Sequence, residues 1–253
     1  MMNGKIIVVT HKDYQMPADG IYCPVCVGTG LAALSGKFQP DNTGDHISGR
    51  NSTYCELTAI YWAWKNLNLN ELDYVGVAHY RRHFSLRKGA RTLDMAITGR
   101  ELEKLGPGVY VTPKRTYLSS IENHYIQSLK GYERIHEKDI ARLREAIHIC
   151  CPDYDAAADK VLKGNSAHML NMFIMSSGDF DAYCGWLFPV IDRVVALSAD
   201  REDQRRYAGA LSEFCLDIWL GHHGITPREL PLLETERVSF AGKVIACLKR
   251  KLG

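Results

Sequence analysis

The sequence predicts an α/β domain: a buried sheet flanked by amphipathic helices. Three observations carry this. Short apolar runs at residues 5–10, 74–78, 108–113 and 171–175 are too short for helices and fit buried strands. Between them lie longer stretches with apolar residues at helical spacing. Two of the short runs end in paired basic residues, and in open α/β sheets ligands bind outside the carboxyl ends of strands.

The first strand is Lys5–Thr10, and its carboxyl end delivers Thr10 and His11 to the sheet edge. Residues 14–50 read as loop, punctuated by Pro17, Pro24, Pro40 and several glycines. A stretch that long inside a compact domain is usually functional or mobile. Within it, Cys23-Pro-Val-Cys26 has the spacing of half a zinc site or a redox pair. No second CxxC follows, so buried thiols are the preferred reading. Thr53 with Glu56 fits a capping box, which starts a helix near Tyr54. Leu57, Ile60, Tyr61, Trp64 and Leu67 form its apolar stripe, and its tryptophans read as core. At its amino end Arg50, Asn51, Ser52 and free N–H groups offer contacts to a ligand.

The strand Tyr74–Ala78 then ends in His79, Tyr80, Arg81, Arg82 and His83. Two readings stand. Arginine forks suit phosphate oxygens, and charge runs are also often plain solvated faces. A short helix is expected near residues 99–105, and a strand at 108–113 is followed by Lys114 and Arg115. Ser119 or Ser120 caps a helix carrying Ile121, Tyr125 and Leu129, on which His124 reads as structural. Residues 137–149 form an amphipathic helix with Ile140, Leu143 and Ile147 on one face. A strand at 171–175 has His168 and Asn171 near its start, polar groups that need partners inside an apolar run. Residues 179–196 form a helix, with Pro189 as a potential kink. Finally, Ser212 and Glu213 sit at an expected helix start. Glu213 is either a base that takes a proton from an attacking hydroxyl or a charge that favours a helix amino end.

Composition narrows the function. Apolar residues are 46% of 253, enough for a sizeable core. A net charge of +2, from 31 basic and 29 acidic residues, argues against a nucleic-acid binder. Eight cysteines in this length are too sparse for a disulfide scaffold. Only Ile6–Val9 follows Lys5 before polar residues resume, so no signal peptide is expected, and no run approaches the ~20 apolar residues of a membrane span. A cytoplasmic protein with reduced thiols is expected.

Three motifs in order carry a family resemblance: Arg50-Asn-Ser-Thr-Tyr-Cys-Glu-Leu-Thr-Ala-Ile-Tyr-Trp-Ala-Trp-Lys-Asn66, His79-Tyr-Arg-Arg-His-Phe84 and His168-Met-Leu-Asn-Met-Phe-Ile-Met175. Together they resemble the capsular and exopolysaccharide (O-antigen-type) glycosyltransferases once catalogued only as a domain of unknown function, some of which transfer galactofuranose. The resemblance spans about Ile6 to Leu232. It implies a single GT-A-like domain, a Rossmann-type mixed sheet flanked by helices, over residues 1–236. It further implies transfer of a sugar, galactofuranose first, from a UDP-sugar to a lipid-linked or growing glycan, with inversion. Another UDP-hexose, or a silent nucleotide-sugar-binding subunit, is the alternative. On this resemblance Thr10, His11, Arg50, Asn51, His79, Tyr80, Arg81 and Arg82 hold the donor and its diphosphate. His168, Asn171 and Ser212 position donor or acceptor, and Glu213 is the base. Many GT-A enzymes place Asp-x-Asp after the central strand to hold a divalent metal. Here His79-Tyr-Arg-Arg82 stands there, so no metal ligand is assigned, and manganese or magnesium is not expected to be strictly required.

Residues 237–253 read as a basic amphipathic tail. As a helix, Phe240, Val244, Cys247 and Leu248 share one side, with Lys243 and Lys249-Arg-Lys251 supplying cations. Each charge near an anionic lipid surface contributes about 1 kcal/mol. The tail is therefore expected to lie on the inner face of the cell membrane. Packing on the domain's own core or on a second subunit is the alternative, and Gly242 weakens the helix. The sequence leaves the oligomeric state open.

Overall fold

A computed structural model of the chain describes residues 2–128 and 135–236. It opens with β1 (Gly4–Thr10), β2 (Tyr22–Cys26), the one-turn α1 (Gly30–Ala33) and β3 (Gln39–Pro40). Then follow α2 (Asn51–Tyr54), α3 (Leu57–Asn66), β4 (Tyr74–His79) and β5 (Arg82–Phe84). Next are α4 (Gly99–Leu105), β6 (Tyr110–Val111), β7 (Arg115–Thr116), α5 (Ile121–Ser128), α6 (Glu137–Cys150) and α7 (Asp155–Lys163). The last are β8 (Ser166–Ala167), β9 (Phe173–Ser176), α8 (Ser177–Leu197), α9 (Tyr207–Ser212), α10 (Cys215–His222), β10 (Arg228–Glu229) and β11 (Leu232–Glu234).

The main sheet runs β10-β6-β9-β4-β1-β2-β3 among the described residues. β4, β1, β2 and β3 are parallel. β9 joins β4 antiparallel, β6 joins β9 antiparallel, and β10 lies parallel to β6. β5 turns back on β4 and carries β11. β7 and β8 form a separate ladder.

Side-chain alternation explains why β1 and β4 read as unbroken apolar runs. Ile7, Val9, Val75 and Val77 enter one core, and Ile6, Val8, Tyr74 and Ala78 the other. Both faces are dry, so neither residue of the pair can be polar. The first face is covered by most of the helices, including α3, α6, α8 and α10; the second by α4 and by loop residues such as Ile97. Gly76 is required at the centre. A Cβ there would stand 2.9 Å from Ile174 Cγ1 and 3.1 Å from Ile6 Cγ1. The longest helix, α8, is capped by Ser176, whose Oγ accepts from the Asp179 N–H at 3.0 Å. It buries Phe180, Tyr183, Trp186, Leu187, Val190, Ile191 and Val194 and runs through Pro189 unbroken. Each such side chain contributes roughly 1.5–3 kcal/mol by leaving water.

Several expectations are corrected. β2 and β3 lie inside the stretch read as loop. Pro24 obscured β2, yet it is tolerated. Ile6 donates to the Ile21 carbonyl and Val27 to that of Thr10, so odd residues of β2 bond β1. Pro24 faces the other side, where β3 pairs only Val25 and Cys26. Cys23 and Cys26, three apart on a strand, point to opposite faces and cannot share a metal. The expected capping box at Thr53 and Glu56 does not form. The helix breaks at Cys55, which has φ 52°, and α3 starts only at Leu57, with Glu56 as its N-cap. The expected strand at 171–175 starts only at Phe173, because Leu170 and Asn171 are left-handed, with φ 85° and 49°. The strand at 108–113 shrinks to Tyr110–Val111. Leu129 and the tail 237–253 lie outside the described residues.

Candidate active site

A cleft of about 390 Å³ opens at the carboxyl ends of β1 and β4. Thr10 and His11 reach it from β1, and His79, Tyr80, Arg81 and Arg82 from the β4–β5 turn. Asn51, Cys55 and Glu56 form a second wall, and Leu170, Arg206 and Glu213 a third. Each wall depends on a local backbone device. β4 ends in a tight turn because β5 folds back with His79 opposite Arg82. Asn51 closes up to Gly28, where a Cβ would meet Asn51 Oδ1 at 2.2 Å. Arg206 is held left-handed at φ 61°, its N–H donating to the Ser52 carbonyl at 2.8 Å.

The cationic side is built from three arginines. Arg81 Nη1 lies 3.2 Å from Glu236 Oε2, with its guanidinium over the Tyr80 ring at 5.1 Å. Arg82 Nε lies 3.6 Å from Glu234 Oε1, a contact too long to be a hydrogen bond. That Nε is buried and finds no hydrogen bond among the described residues. Half-exposed pairs of this kind contribute little, about 0–1 kcal/mol, so an anion with two bridging oxygens can displace them. His11 beside them is held below the ordinary histidine range, by burial first and then by Lys12, Arg81 and Arg206. His79 Nε2 donates to the Leu170 carbonyl at 2.6 Å, and burial keeps its ring neutral.

The anionic side is Glu213 and Glu56. Glu213 sits in the joint between α9 and α10, not at a helix start. Its carboxyl is pushed up to about 7, by burial first and by the Glu56 charge second. Tyr125 Oη donates to Glu213 Oε2 at 3.2 Å and opposes that shift. The phenol is itself raised by burial and by Glu213, and so stays a donor.

Four expected site residues stand outside this cleft. Arg50 pairs with Asp192 on α8 at 3.0 Å. His168 faces α10: its Nδ1 is 2.5 Å and its N–H 2.8 Å from the two Asp217 oxygens. Asn171 and Ser212 are buried behind the wall, with Asn171 Nδ2 bonding Glu56 Oε1 at 2.7 Å and Ser212 Oγ at 2.9 Å. Sequence reasoning missed Glu56, which was absorbed into an apparent capping box, and Arg206, which lies in a charged loop with no local signal.

Guanidinium groups stand after β4, and among the described residues no three His, Cys, Asp or Glu side chains converge on one point.

A model of a domain of unknown function, DUF4422, matches residues 5–224. The chain belongs to this family. Among solved structures, this DUF4422 chain is similar to the apo form of WbbM, described as a bifunctional glycosyltransferase. The TM-score is 0.79 at 24% identity, over 95% of this chain and 46% of that one. The chain thus spans about half the length of the WbbM chain. At that identity the likeness shows the fold, a GT-A-like mixed sheet flanked by helices. Core-mannan synthase A from Aspergillus fumigatus, in a Mn/GDP form, aligns at TM-score 0.36 and 12% identity over 87% of this chain and 70% of that one, too weak to carry an argument. No curated protein matches the sequence.

Proposed function

We propose that this DUF4422 chain is a glycosyltransferase that moves a sugar from a UDP-sugar, galactofuranose first among candidates, to a growing or lipid-linked surface glycan. The observation that supports it best is one cleft with arginines on one side and carboxylates on the other, at the strand ends where α/β sheets take ligands. The described WbbM activity on the same fold points the same way.

In this reading Arg81 and Arg82 bind the diphosphate, giving up Glu236 and Glu234 as partners. Thr10, His11, Asn51, His79 and Tyr80 line the donor. Glu213 takes the proton from the acceptor hydroxyl as its oxygen bonds to the anomeric carbon. The bond from that carbon to phosphate breaks, and its electron pair leaves on the UDP. Positioned charge at that oxygen lowers the barrier. Attack opposite the leaving group inverts the anomeric carbon. Arg50 and His168 become supporting residues.

A panel of UDP-sugars with UDP release as readout tests this. One sugar should release UDP, Glu213→Gln should abolish acceptor transfer, and chelator should leave most of the activity. Binding of UDP-sugar without any hydrolysis would favour the silent binding subunit, and near-complete loss in chelator restored by manganese would overturn the metal-independent site.

A further inference from the structure

Glu56 has no part in the chemistry just described, yet the fold fixes its carboxylate on the cleft wall through a buried amide. α2 stops at Tyr54, Cys55 takes φ 52° and ψ −127°, and Glu56 is the N-cap of α3. α9 packs closely against Cys55 at Gly209. At Gly209 a Cβ would stand 2.9 Å from Cys55 Cβ and 3.1 Å from the Tyr54 carbonyl oxygen. From the other side, the consecutive left-handed residues Leu170 and Asn171 bring the Asn171 amide forward. Strained backbone of this kind persists only where the surroundings over-determine it, and it clusters at functional sites. The buried Asn171 amide donates to Glu56 Oε1 at 2.7 Å and to Ser212 Oγ at 2.9 Å. Ser212 Oγ donates in turn to the Gly209 carbonyl at 2.7 Å. A closed chain of bonds therefore runs from α9 to the Glu56 carboxylate.

We propose that Glu56 is a positioning residue: the fold clamps its carboxylate on the cleft wall as a fixed negative charge that governs the ionisation of Glu213. The groups that act on Glu213 are Glu56 at the N-cap of α3, Tyr125 on α5, Arg115 on β7 and the Leu170 N–H ahead of β9. The last three favour the carboxylate, whereas burial and Glu56 oppose it. Without Glu56, Glu213 ionises at lower pH and becomes a weaker base. Together the pair keeps Glu213 basic near neutrality, where proton transfer from a sugar hydroxyl is most effective.

The proposal rests on Glu213 as the base, so the test has a readout that does not need turnover. The full chain is labelled with 13C-carboxyl glutamate, and the Glu213 resonance is identified by its loss in Glu213→Gln. Its titration midpoint should lie near 7 in the wild type and fall by about one pH unit in Glu56→Gln. Glu56→Asp should restore it. The acidic limb of kcat/KM for UDP-sugar turnover should move with the midpoint. An unchanged midpoint in a folded Glu56→Gln protein overturns the proposal. Should that variant fail to fold, Ser212→Ala loosens the clamp, keeps both carboxylates and must lower the midpoint in the same direction; no change there overturns it equally. If no UDP-sugar is turned over but the midpoints shift, the glycosyltransferase reading falls and the coupling stands.

Discussion

At the scale of single residues, the proposed function rests on two arginines and one glutamate. Arg81→Ala and Arg82→Ala should each cost about 2–4 kcal/mol of transition-state stabilisation, by analogy with removing an oxyanion donor. Both pairs with Glu236 and Glu234 are near the surface, so folding should hardly change. Near wild-type turnover in folded single mutants would remove the phosphate assignment. Glu213 makes a separate prediction about stability. Burial, then the Glu56 charge, pushes its folded carboxyl up to about 7 from the ordinary 4.5. Between those values the native state keeps a proton that the unfolded chain has lost. That stabilisation is complete below the lower value and is lost as pH rises through the upper one. Glu213→Gln should therefore gain on the wild type by roughly 2 kcal/mol at pH 8, and by much less at pH 5. Urea unfolding at the two pH values measures the difference. His83, pushed down to about 4 by burial, has the opposite sign and loses stability as pH falls, but it is common to both proteins and cancels.

At the scale of elements, α8 is the chief support of the better-covered sheet face. Leu187 on it is wholly buried, and Leu187→Ala should lower unfolding free energy by roughly 2–5 kcal/mol. A loss under 1 kcal/mol in urea would show that the face repacks. The elements legible in the sequence share one property: their signal is local. β1, β4, α6 and α8 announce themselves through uninterrupted or helix-spaced apolar residues. Thr10, His11 and the His79–Arg82 cluster were legible for the same reason, since strand ends fix where side chains emerge. The unreadable parts are set by contacts distant in sequence. Cys55 breaks its helix where Gly209, far along the chain, packs against it. Asn171 turns left-handed to meet Glu56 across 115 positions. His168 looked like a cleft residue until Asp217 on α10 claimed its ring. Neither propensity nor spacing contains that information.

At the scale of the whole molecule, no helix among the described residues is long and apolar enough to cross a membrane. A lipid-linked acceptor would nonetheless have to be met at a bilayer. Residues 237–253, outside the described part, are the candidate for that contact on the basis of their sequence. Removing them after Glu236 should release the protein from anionic liposomes at low salt while leaving donor hydrolysis and the Arg81–Glu236 pair in place. A full-length protein that ignores such liposomes, or a truncation that unfolds, would favour packing against the domain or a second subunit.

The antiparallel seam between β4 and β9 has a kinetic consequence. It pairs Val77 with Phe173, so nearly a hundred residues must be gathered before it can zip. Loop closure of that length is slow relative to helix formation. Both carboxylates of the cleft depend on the far side of this seam, Glu56 through Asn171 and Glu213 through the Leu170 turn. During refolding the helices can thus return long before a working centre exists. A nascent chain that has emerged only as far as α7 carries Arg81, Arg82 and half of the acids, but has nothing yet to hold them in register.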